Sequence, residues 1–463
     1  MKTTYIFWLF TICCMTQTYA QSTSPNIIVI LVDDLGYKDV GFMGGNFYRT
    51  PHLDSLSKES IVYQQAYAAA SNCAPSRASL LTGLLPNRHG IYTVGSSERG
   101  KTEDRKLIPI QNNNTLDSTL PTIATLLGSN GYQTASIGKW HLSDSPSSHG
   151  FSYSFGGNHT GHNKHFSPYK NTAIPDGMKG EYLTDRITDE AIEYIRQQKE
   201  TTPFFLYLSY YAIHTPLEAP DSLKNHYKGL YGTGERDYPV YAAMIESLDH
   251  NIGKLISELK HQGLSENTIL WFCSDNGGIN TISPQQPLRA GKGSYFEGGV
   301  RIPFFVHWPS HVQPRRDSTT LVSHLDILPT IKRIVKDDSQ MQLDGESLWN
   351  NMLGQKNLQE RVLFWHFPIY LEAYNESKDD GLDPKFRTRP GSTIRSKNWK
   401  LHHYYEDDTY LLYDLSTDIG ERINKASACP KILEKMKLEL NKKILDTNAK
   451  IPNKLNPNYK NEL

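Results

Sequence analysis

The sequence contains few cysteines, five among 463 residues. Cys13 and Cys14 lie in an N-terminal apolar stretch, so Cys73, Cys273 and Cys429 remain for the rest of the chain. Three scattered cysteines exclude a disulfide framework and a tetrahedral zinc site built from cysteine. Cys273 ends an apolar run and is interpreted as a small buried hydrophobe, and Cys429 gives no functional signal. Cys73 is therefore the cysteine to examine for chemistry.

The chain also lacks net charge and long apolar runs. Forty-nine lysines and arginines balance forty-nine aspartates and glutamates, which excludes a global field that attracts nucleic acid or an anionic membrane. The apolar stretch at 5–15 is shorter than the roughly 20 residues of a membrane-spanning helix, and no later segment approaches that length. We therefore expect no nucleic-acid partner and no membrane span, and any anion site must be local.

Residues 1–20 have the pattern of a cleavable signal peptide. Lys2 precedes the apolar stretch, and Thr18 and Ala20 supply small residues near the cleavage point. This pattern predicts export, to the periplasm or the exterior. Lipidation at Cys13 is the less favoured alternative, because the bulky Ile12 precedes that cysteine.

Strand patterns alternate with helical patterns over residues 21–355, which predicts an α/β fold with a mostly parallel central sheet between helices. From about residue 356 to residue 463, short strand patterns follow one another without helices until a helical pattern near 431–445. This change predicts a smaller C-terminal antiparallel α+β subdomain with a closing helix. The main strand candidates are 26–32, 133–137, 204–210, 268–273 and 302–307, and the helix candidates are 53–59, 119–130, 184–198 and 241–262.

Polar residues follow the C-terminal ends of four predicted strands, where open α/β sheets bind their ligands. We therefore expect these side chains to share one site. They are Asp33, Asp34, Lys139, His141, His214, Asp275 and Asn276.

The adjacent carboxylates of Asp33 and Asp34 repel each other and resist burial unless a cation neutralises them. A helix cap or a solvated turn is the ordinary interpretation of such a pair taken alone. Asp275 and Asn276, which follow a second apolar strand, shift the balance because they add oxygen ligands at the same edge. Ligation by oxygen alone indicates calcium or magnesium rather than zinc.

The segment 73–83, with sequence Cys-Ala-Pro-Ser-Arg-Ala-Ser-Leu-Leu-Thr-Gly, is the most specific in the chain. Pro75 suits the first turn of a helix and Gly83 its end, which places Cys73 at the helix N-terminus and Arg77 one turn later. Both features favour an anion beside Cys73. A redox cysteine with a low pKa is the alternative, although it does not account for the rest of the motif.

This motif resembles the signature of the formylglycine-dependent sulfatases, a family with the alkaline phosphatase-like fold. The resemblance covers nearly the whole mature chain and makes 21–355 the catalytic domain. One departure is Asp418-Ile-Gly-Glu421, where the family usually has proline after the aspartate; we expect it to affect a turn of the subdomain and not the chemistry. Other matching segments are 26–34, 138–142, 214–216, 274–277, 291–293, 297–303, 394–401 and 412–415.

The resemblance implies that a separate maturation enzyme oxidises Cys73 to formylglycine, whose hydrate supplies the nucleophile. It also implies a single calcium ion. The ligands that it implies are Asp33, Asp34, Asp275, Asn276 and the modified Cys73.

The resemblance assigns roles to five further residues. Arg77 orients the nucleophile, and Lys139 and Lys292 neutralise the sulfate oxygens. His214 is the expected general acid for the leaving alcohol. His141 is expected to take the proton from the second hydroxyl of the hydrate. Because Lys139 and His141 are two residues apart, an extended segment between them turns both side chains to one face.

The substrate expectation is a sulfated carbohydrate, from an algal polysaccharide such as ulvan or carrageenan or from a glycosaminoglycan. Its basis is predicted export and 27 tyrosines, which suit sugar-facing surfaces. The polar loop 143–168, with four histidines at 149, 159, 162 and 165, is expected to lie beside the pocket. Two alternatives stay open: a phosphonate or phosphate monoester hydrolase of the same superfamily, and an inactive sugar-binding relative.

Overall fold

The computed structural model of the chain describes residues 24–161, 164–170, 172–199, 201–229, 238–355, 358 and 360–460. The predicted signal peptide and His162 lie outside the described residues. No helix in the part of the chain that is described has the length and apolar character needed to cross a membrane.

The predicted alternation of strands and helices is confirmed, with element ends that differ from the predicted ones by a few residues. The strands are β1 (Asn26–Val32), β2 (Ile61–Tyr67), β3 (Gln133–Gly138), β4 (Tyr153–Phe155), β5 (Phe204–Ser209), β6 (Thr268–Ser274), β7 (Phe304–His307), β8 (Arg315–Ser323), β9 (Val362–Phe367), β10 (Leu371–Glu372), β11 (Phe386–Thr388), β12 (Gly391–Ser396), β13 (Trp399–Tyr404) and β14 (Thr409–Asp414). The α-helices are α1 (Pro51–Lys58), α2 (Cys73–Thr82), α3 (Pro86–His89), α4 (Ile123–Ser129), α5 (Leu183–Arg196), α6 (Asp221–Lys224), α7 (Tyr238–His261), α8 (Glu297–Val300), α9 (Ile327–Ile334), α10 (Trp349–Met352) and α11 (Pro430–Asp446).

The central sheet has eight strands in the order β4-β3-β5-β1-β6-β7-β2-β8. The five strands from β4 to β6 are all parallel, and only β7 runs against its neighbours. Strands β2 and β8 were not among the predicted strands. Their sequences mix apolar and polar residues, and β8 begins with Arg315-Arg316-Asp317, so neither has the continuous apolar run of a central strand.

Helices cover both faces of this sheet, as the alternation of side chains along β1 shows. Ile28, Ile30 and Val32 point into one core cluster, with α1, α5 and α7, whereas Ile27, Val29 and Leu31 point into the other, with α2, α4 and α9. All seven residues of β1 are buried. Burial on both faces explains why the strand is apolar at every position after Asn26.

The C-terminal region forms a separate four-stranded antiparallel sheet in the order β14-β13-β12-β9, as predicted. The closing helix α11 packs on one of its faces: Met436, Leu440 and Ile444 share a core cluster with Ile394 and Leu401. These contacts explain why a helix of low overall hydropathy folds here, since most helical stability comes from burying one apolar face. The division of the chain at residue 355 stays a prediction.

Candidate active site

The four neighbouring strands β3, β5, β1 and β6 end at the same edge of the sheet, and the predicted polar residues follow them there. Asp33 comes directly after β1, Lys139 after β3 and Asp275 after β6. His214 lies five residues beyond the end of β5, where the chain turns back beside β1: Asp33 donates its backbone N–H to Ala212, and Ile213 donates to Asp33. The parallel arrangement therefore brings side chains distant in sequence to one point.

Cys73 is the first residue of α2, as the proline and glycine spacing predicted. All ten residues of the helix are buried, and Gly83 ends it with φ of 68°. The Cys73 Sγ atom lies 3.9 Å from Asp34 Oδ1. Burial raises the pKa of the Cys73 thiol to about 12, which argues against a redox cysteine that works as a low-pKa thiolate.

Three carboxylates and one amide surround the position that Cys73 faces. Asp34 accepts a hydrogen bond from Asn276 Nδ2 at 2.7 Å, and its backbone N–H donates to Asp275 Oδ1 at 3.1 Å. Asp33 and Asp275 are fully buried. Oxygen or sulfur atoms of Asp33, Cys73 and Asp275 all lie within 4.8 Å of one another. The donor set predicted for a metal is thus assembled.

Three buried cations match these three carboxylates. Arg77 contacts Asp275 Oδ2 through Nε and Nη2 at 3.0 and 2.7 Å. Lys139 donates to Asp33 Oδ2, and Lys292 donates to Asp34 Oδ2 at 2.7 Å. Each cation therefore has a carboxylate partner, which is what allows so many charges to be buried together.

The cations do not affect the carboxylates equally. Burial raises the pKa of Asp33 to about 7, because desolvation outweighs the attraction of Lys139. Burial also acts to raise the pKa of Asp34, but the charge of Lys292 is the main effect that reverses the shift and lowers it. The same attraction raises the pKa of Lys292 well above its ordinary range. The site therefore combines anionic carboxylates with cationic lysine side chains.

The residues present fit a hard divalent cation. Among the described residues, neither Asp33 Oδ1 nor Asn276 Oδ1 has a hydrogen-bond partner, although both atoms are buried. Unpartnered buried oxygens are costly unless a ligand satisfies them. Carboxylate and amide oxygens are the ligands that Ca²⁺ takes in proteins.

His214 and His141 border the carboxylates on the open side. His214 Nε2 lies 3.6 Å from Asp34 Oδ2, and His214 Nδ1 lies 2.6 Å from the carbonyl of Thr215. Burial and the charge of Lys292 lower the pKa of His214 to about 3. His165, which the sequence left without a role, contacts the carbonyl of His214 through Nε2 at 2.9 Å. The Thr215 carbonyl thus holds the imidazole of His214, and His165 holds its backbone carbonyl.

The backbone at His141 corrects one expectation. The segment between Lys139 and His141 was expected to be extended, but His141 has φ of 64°. The turn is held by a hydrogen bond from its N–H to the carbonyl of Asn158. Its ring packs against Gly161, where a Cβ atom would stand 2.1 Å from Cε1. Lys139 and His141 still reach the site, but a left-handed turn and a close glycine bring them there.

Arg77 and its partner Asp275 are contacted by further side chains that the sequence pattern did not single out. Arg77 donates to Ser209 Oγ, at the end of β5. Ser76 Oγ donates to the carbonyl of Asp275 and lies 2.9 Å from His324 Nδ1. Serine is too common to be recognised from sequence, and His324 is about 250 residues away from Ser76. Only the fold could identify these contacts.

A pocket of about 910 Å³ opens over Cys73, Lys292 and both site histidines. The loop after Lys139 lies beside it, as expected, but of that loop's four histidines only His159 is among its lining residues within the described chain. His149 is buried against Ser143 instead. Thr160 and Gly161 of that loop also line the pocket. The remaining lining residues were not predicted: Asn72, Thr93, Val94, Arg99, Thr215, Pro216, Tyr374 and Arg387.

Comparison with known proteins agrees with this arrangement. The sequence model of the family described as Sulfatase matches residues 25–335, and that of the N-sulphoglucosamine sulphohydrolase C-terminal region matches residues 291–449. The chain is 32% identical to the N-acetylgalactosamine-6-sulfatase of Homo sapiens, over 86% of this chain and 81% of that protein. It is 29% identical to a sulfatase of Formosa agariphila, over 88% and 85%.

A solved structure extends the likeness to the fold. The crystal structure of Ps i-CgsB in complex with k-i-k-neocarrahexaose superimposes with a TM-score of 0.75 at 28% identity, covering 93% of this chain and 95% of that one. The family match covers the strand ends and helix that carry the site. The chain therefore belongs to the sulfatase family and is a sulfuric ester hydrolase.

Proposed function

We propose that this enzyme hydrolyses a sulfate ester on a sugar, with a formylglycine nucleophile made from Cys73 and one bound Ca²⁺. The observation that carries the proposal is the position of Cys73, at the start of α2 beside Asp34 and in the pocket that Lys292 also lines. The sugar substrate is supported by two similar proteins, an N-acetylgalactosamine-6-sulfatase and a protein crystallised with a neocarrahexaose. A pocket of about 910 Å³ has room for a saccharide ring.

Four oxygen donors besides residue 73 would hold the cation: Asp33, Asp34, Asp275 and Asn276. When bound, Ca²⁺ would favour the deprotonated form of a hydroxyl on modified residue 73 and neutralise the carboxylates. Asp33 Oδ1 and Asn276 Oδ1, which have no hydrogen-bond partner in the described structure, are the atoms we expect to gain most from it.

The cationic side of the site would bind the sulfate group. Lys139 and Lys292 end within hydrogen-bond distance of the carboxylates beside Cys73, so their ammonium groups are placed to contact sulfate oxygens. Arg77 is fully buried and held by Asp275 and Ser209, so it orients the N-terminal turn of α2. The two lysines would stabilise the charge that develops as the ester bond breaks.

Two histidines would move protons. His214 lines the pocket and its side chain is 18% exposed, so it can reach the leaving oxygen and is the proposed general acid. This role requires that the negative charge of the bound sulfate ester offset the charge of Lys292, which together with burial lowers the pKa of His214 in the free site. His141 lines the same pocket, and its Nδ1 atom has no hydrogen-bond partner in the described structure. It is the proposed acceptor for the proton of the second hydroxyl of residue 73.

We further propose how the protein is exported, divided into domains and matured. Residues 1–20 would direct export to the periplasm or the exterior, residues 21–355 would form the catalytic domain, and residues 356–463 the C-terminal subdomain. A separate maturation enzyme would oxidise Cys73. The substrate would be a sulfated polysaccharide or its oligosaccharides, from algae or from glycosaminoglycans.

The first test is the mass of the tryptic peptide 59–77 from protein made in its native host. We expect the mass of the formylglycine form, and the unmodified thiol in fully processed protein would contradict the proposal. Sulfate release from a panel of monosulfated pyranosides is measured on the same preparation. Matched phosphate esters test the alternative of a phosphate or phosphonate hydrolase, which faster turnover of the phosphates would favour.

A further inference from the structure

The rim of the pocket carries side chains that the proposed chemistry does not use. Tyr374 follows β10, Arg387 lies in β11, and Arg99 comes from the loop after α3. All three line the pocket that contains Cys73. The small β10–β11 sheet thus places part of the C-terminal region beside the sulfate site.

Tyr374 presents a large aromatic side chain to this pocket, with 49% of its surface exposed. One face of its ring is covered by Arg387, whose guanidinium carbon lies 3.4 Å from the ring centroid. The backbone N–H of Tyr374 donates to the carboxylate of Asp379. The ring is therefore supported from behind and anchored through its backbone, while its remaining surface faces the pocket.

The support behind the ring connects it to the sulfate site. Arg387 is 6% exposed and donates through Nε to the carbonyl of Glu372 and through Nη1 to the carbonyl of Lys292, at 2.9 and 3.0 Å. A single guanidinium therefore contacts both the Tyr374 ring and the backbone of the lysine proposed to bind sulfate. This fixes the distance between the ring and the sulfate-binding centre.

The pocket rim also carries a polar pair suited to hydroxyl groups: Arg99 lines the pocket with Tyr374, and its partner Glu372 lies two residues before Tyr374 in the chain. Arg99 binds both carboxylate oxygens of Glu372, at 2.8 to 3.2 Å, and the two side chains are 35% and 40% exposed. An aromatic face next to exposed donors and acceptors matches a pyranose ring, which has an apolar C–H face and hydroxyl groups at its edge.

We propose that Tyr374 determines specificity by stacking on a pyranose ring of the sulfated substrate, with the Arg99–Glu372 pair contacting its hydroxyl groups. This inference rests on the proposed function, because it takes the sulfated saccharide as the ligand. Since the ring is already held by Arg387, little side-chain freedom is lost when the sugar binds. The C-terminal region would therefore select the sugar, while the central sheet supplies the chemistry.

The test is calorimetric binding of a panel of monosulfated pyranosides (galactose, N-acetylgalactosamine, glucosamine and fucose) in a Cys73→Ala background, which prevents turnover. We expect Tyr374→Ala to raise Kd for the best ligand about tenfold, and Tyr374→Phe to stay within about twofold because the ring is kept. Inorganic sulfate is the second probe. Its Kd should be unchanged in both variants, because the groups proposed to bind sulfate do not include the ring.

Tyr153→Ala is the matched control. Tyr153 is a tyrosine with 37% exposure that lines a different pocket, and its loss should leave all Kd values unchanged. The inference is overturned if Tyr374→Ala leaves Kd for the sugar unchanged, if Tyr374→Phe loses as much affinity as Tyr374→Ala, or if no pyranoside binds. If the ring controls sugar binding but unmutated enzyme releases no sulfate, the stacking role stands and the proposed function falls.

Discussion

The segment 289–299 contributes a residue to each of two buried charge clusters, Lys292 to one and Glu297 to the other. The first, the site cluster, consists of the carboxylates, cations and Cys73 at the end of the central sheet, and it borders the pocket through Lys292. The second, the closed cluster, joins this segment to the C-terminal sheet. Its members are Glu297, Lys400, His402 and Glu421, all fully buried.

The two clusters differ in how their oxygens are satisfied. In the closed cluster, one carboxylate oxygen of Glu297 accepts a hydrogen bond from Lys400 at 2.9 Å, and the other accepts one from the Tyr67 hydroxyl at 2.9 Å. One carboxylate oxygen of Glu421 accepts a hydrogen bond from His402 Nε2 at 2.9 Å, and the other accepts one from the backbone N–H of Glu297 at 2.6 Å. Every carboxylate oxygen there has a donor. In the site cluster, Asp33 Oδ1 and Asn276 Oδ1 have no hydrogen-bond donor within the described structure, although Arg77 Nη2 lies 3.4 Å from Asp33 Oδ1.

This difference separates two uses of buried charge. A fully satisfied cluster away from the pocket fixes how two parts of the chain pack, whereas a partly satisfied cluster at a pocket leaves room for a cation and a substrate. The turn at Asp418–Glu421, which departs from the family pattern, belongs to the closed cluster through Glu421.

The largest effect is expected at Cys73. Cys73→Ala should lower kcat by about 10⁴-fold or more, because the nucleophile is lost. The measurement is sulfate release by purified protein, with circular dichroism to confirm folding. Cys429→Ala, at a partly exposed thiol away from both clusters, should retain full activity. Residual activity of Cys73→Ala near the wild-type level would remove Cys73 from the mechanism.

Lys400→Met should destabilise the fold by about 3–5 kcal/mol, because it leaves Glu297 and Glu421 buried with one cation fewer. Urea unfolding measures this loss. Lys397→Met is the control, since Lys397 forms an exposed pair with Glu360 and should change stability by less than about 0.5 kcal/mol. A loss at Lys400 no larger than at Lys397 would break the contrast between the clusters.

Lys292→Met should instead reduce kcat by about 10²–10³-fold, as expected when a group that stabilises transition-state charge is removed. Lys292→Met should lower the free energy of unfolding by less than Lys400→Met does. Steady-state kinetics and urea unfolding on both variants test whether Lys292→Met loses more activity and Lys400→Met loses more stability. Equal losses of activity per folded molecule in the Lys292 and Lys400 variants would contradict it.

Calcium should stabilise the protein through the site cluster. At a concentration a hundredfold above Kd, binding to the native state alone adds about 2.7 kcal/mol to the free energy of unfolding, and a chelator removes it. Thermal unfolding with and without Ca²⁺ measures the effect. It should persist in Tyr153→Ala and shrink in Asn276→Ala, which lacks one proposed ligand. An identical calcium effect in the Asn276 variant would place the cation elsewhere.

The smallest effect concerns pH and the buried His366 of β9. It contacts Ser392 Oγ at 2.8 Å and the Lys450 carbonyl at 3.0 Å, and burial lowers its pKa to about 4 from an ordinary value of 6.5. The unfolded chain therefore takes up a proton before the native state does, so stability is present above pH 6.5 and lost as pH falls from 6.5 towards 4.

At about pH 5 this loss from His366 amounts to about 2 kcal/mol. His366→Gln keeps a hydrogen-bonding side chain and removes the titration. Urea unfolding at about pH 7 and pH 5 should show a smaller decrease for the variant than for the wild type. Equal decreases would mean that His366 is not the group responsible.

Sequence alone predicted the α/β fold, the antiparallel C-terminal region, most strands of the central sheet and the longest of the helices that cover it. It could do so because β1, β5 and β6 are buried on both faces and read as continuous apolar runs. The motif at Cys73 identified the sulfatase family, since a cysteine, helix signals and an arginine coincide in eleven residues.

Only the tertiary structure decided which charges meet. The pairing of Lys139 with Asp33 and of Lys292 with Asp34 depends on strand order, which the local pattern does not contain. The left-handed turn at His141 likewise depends on contacts from the loop after β4. Tyr374 drew no attention in the sequence because an isolated tyrosine carries no pattern; β10 and β11 place it at the pocket through contacts between distant segments.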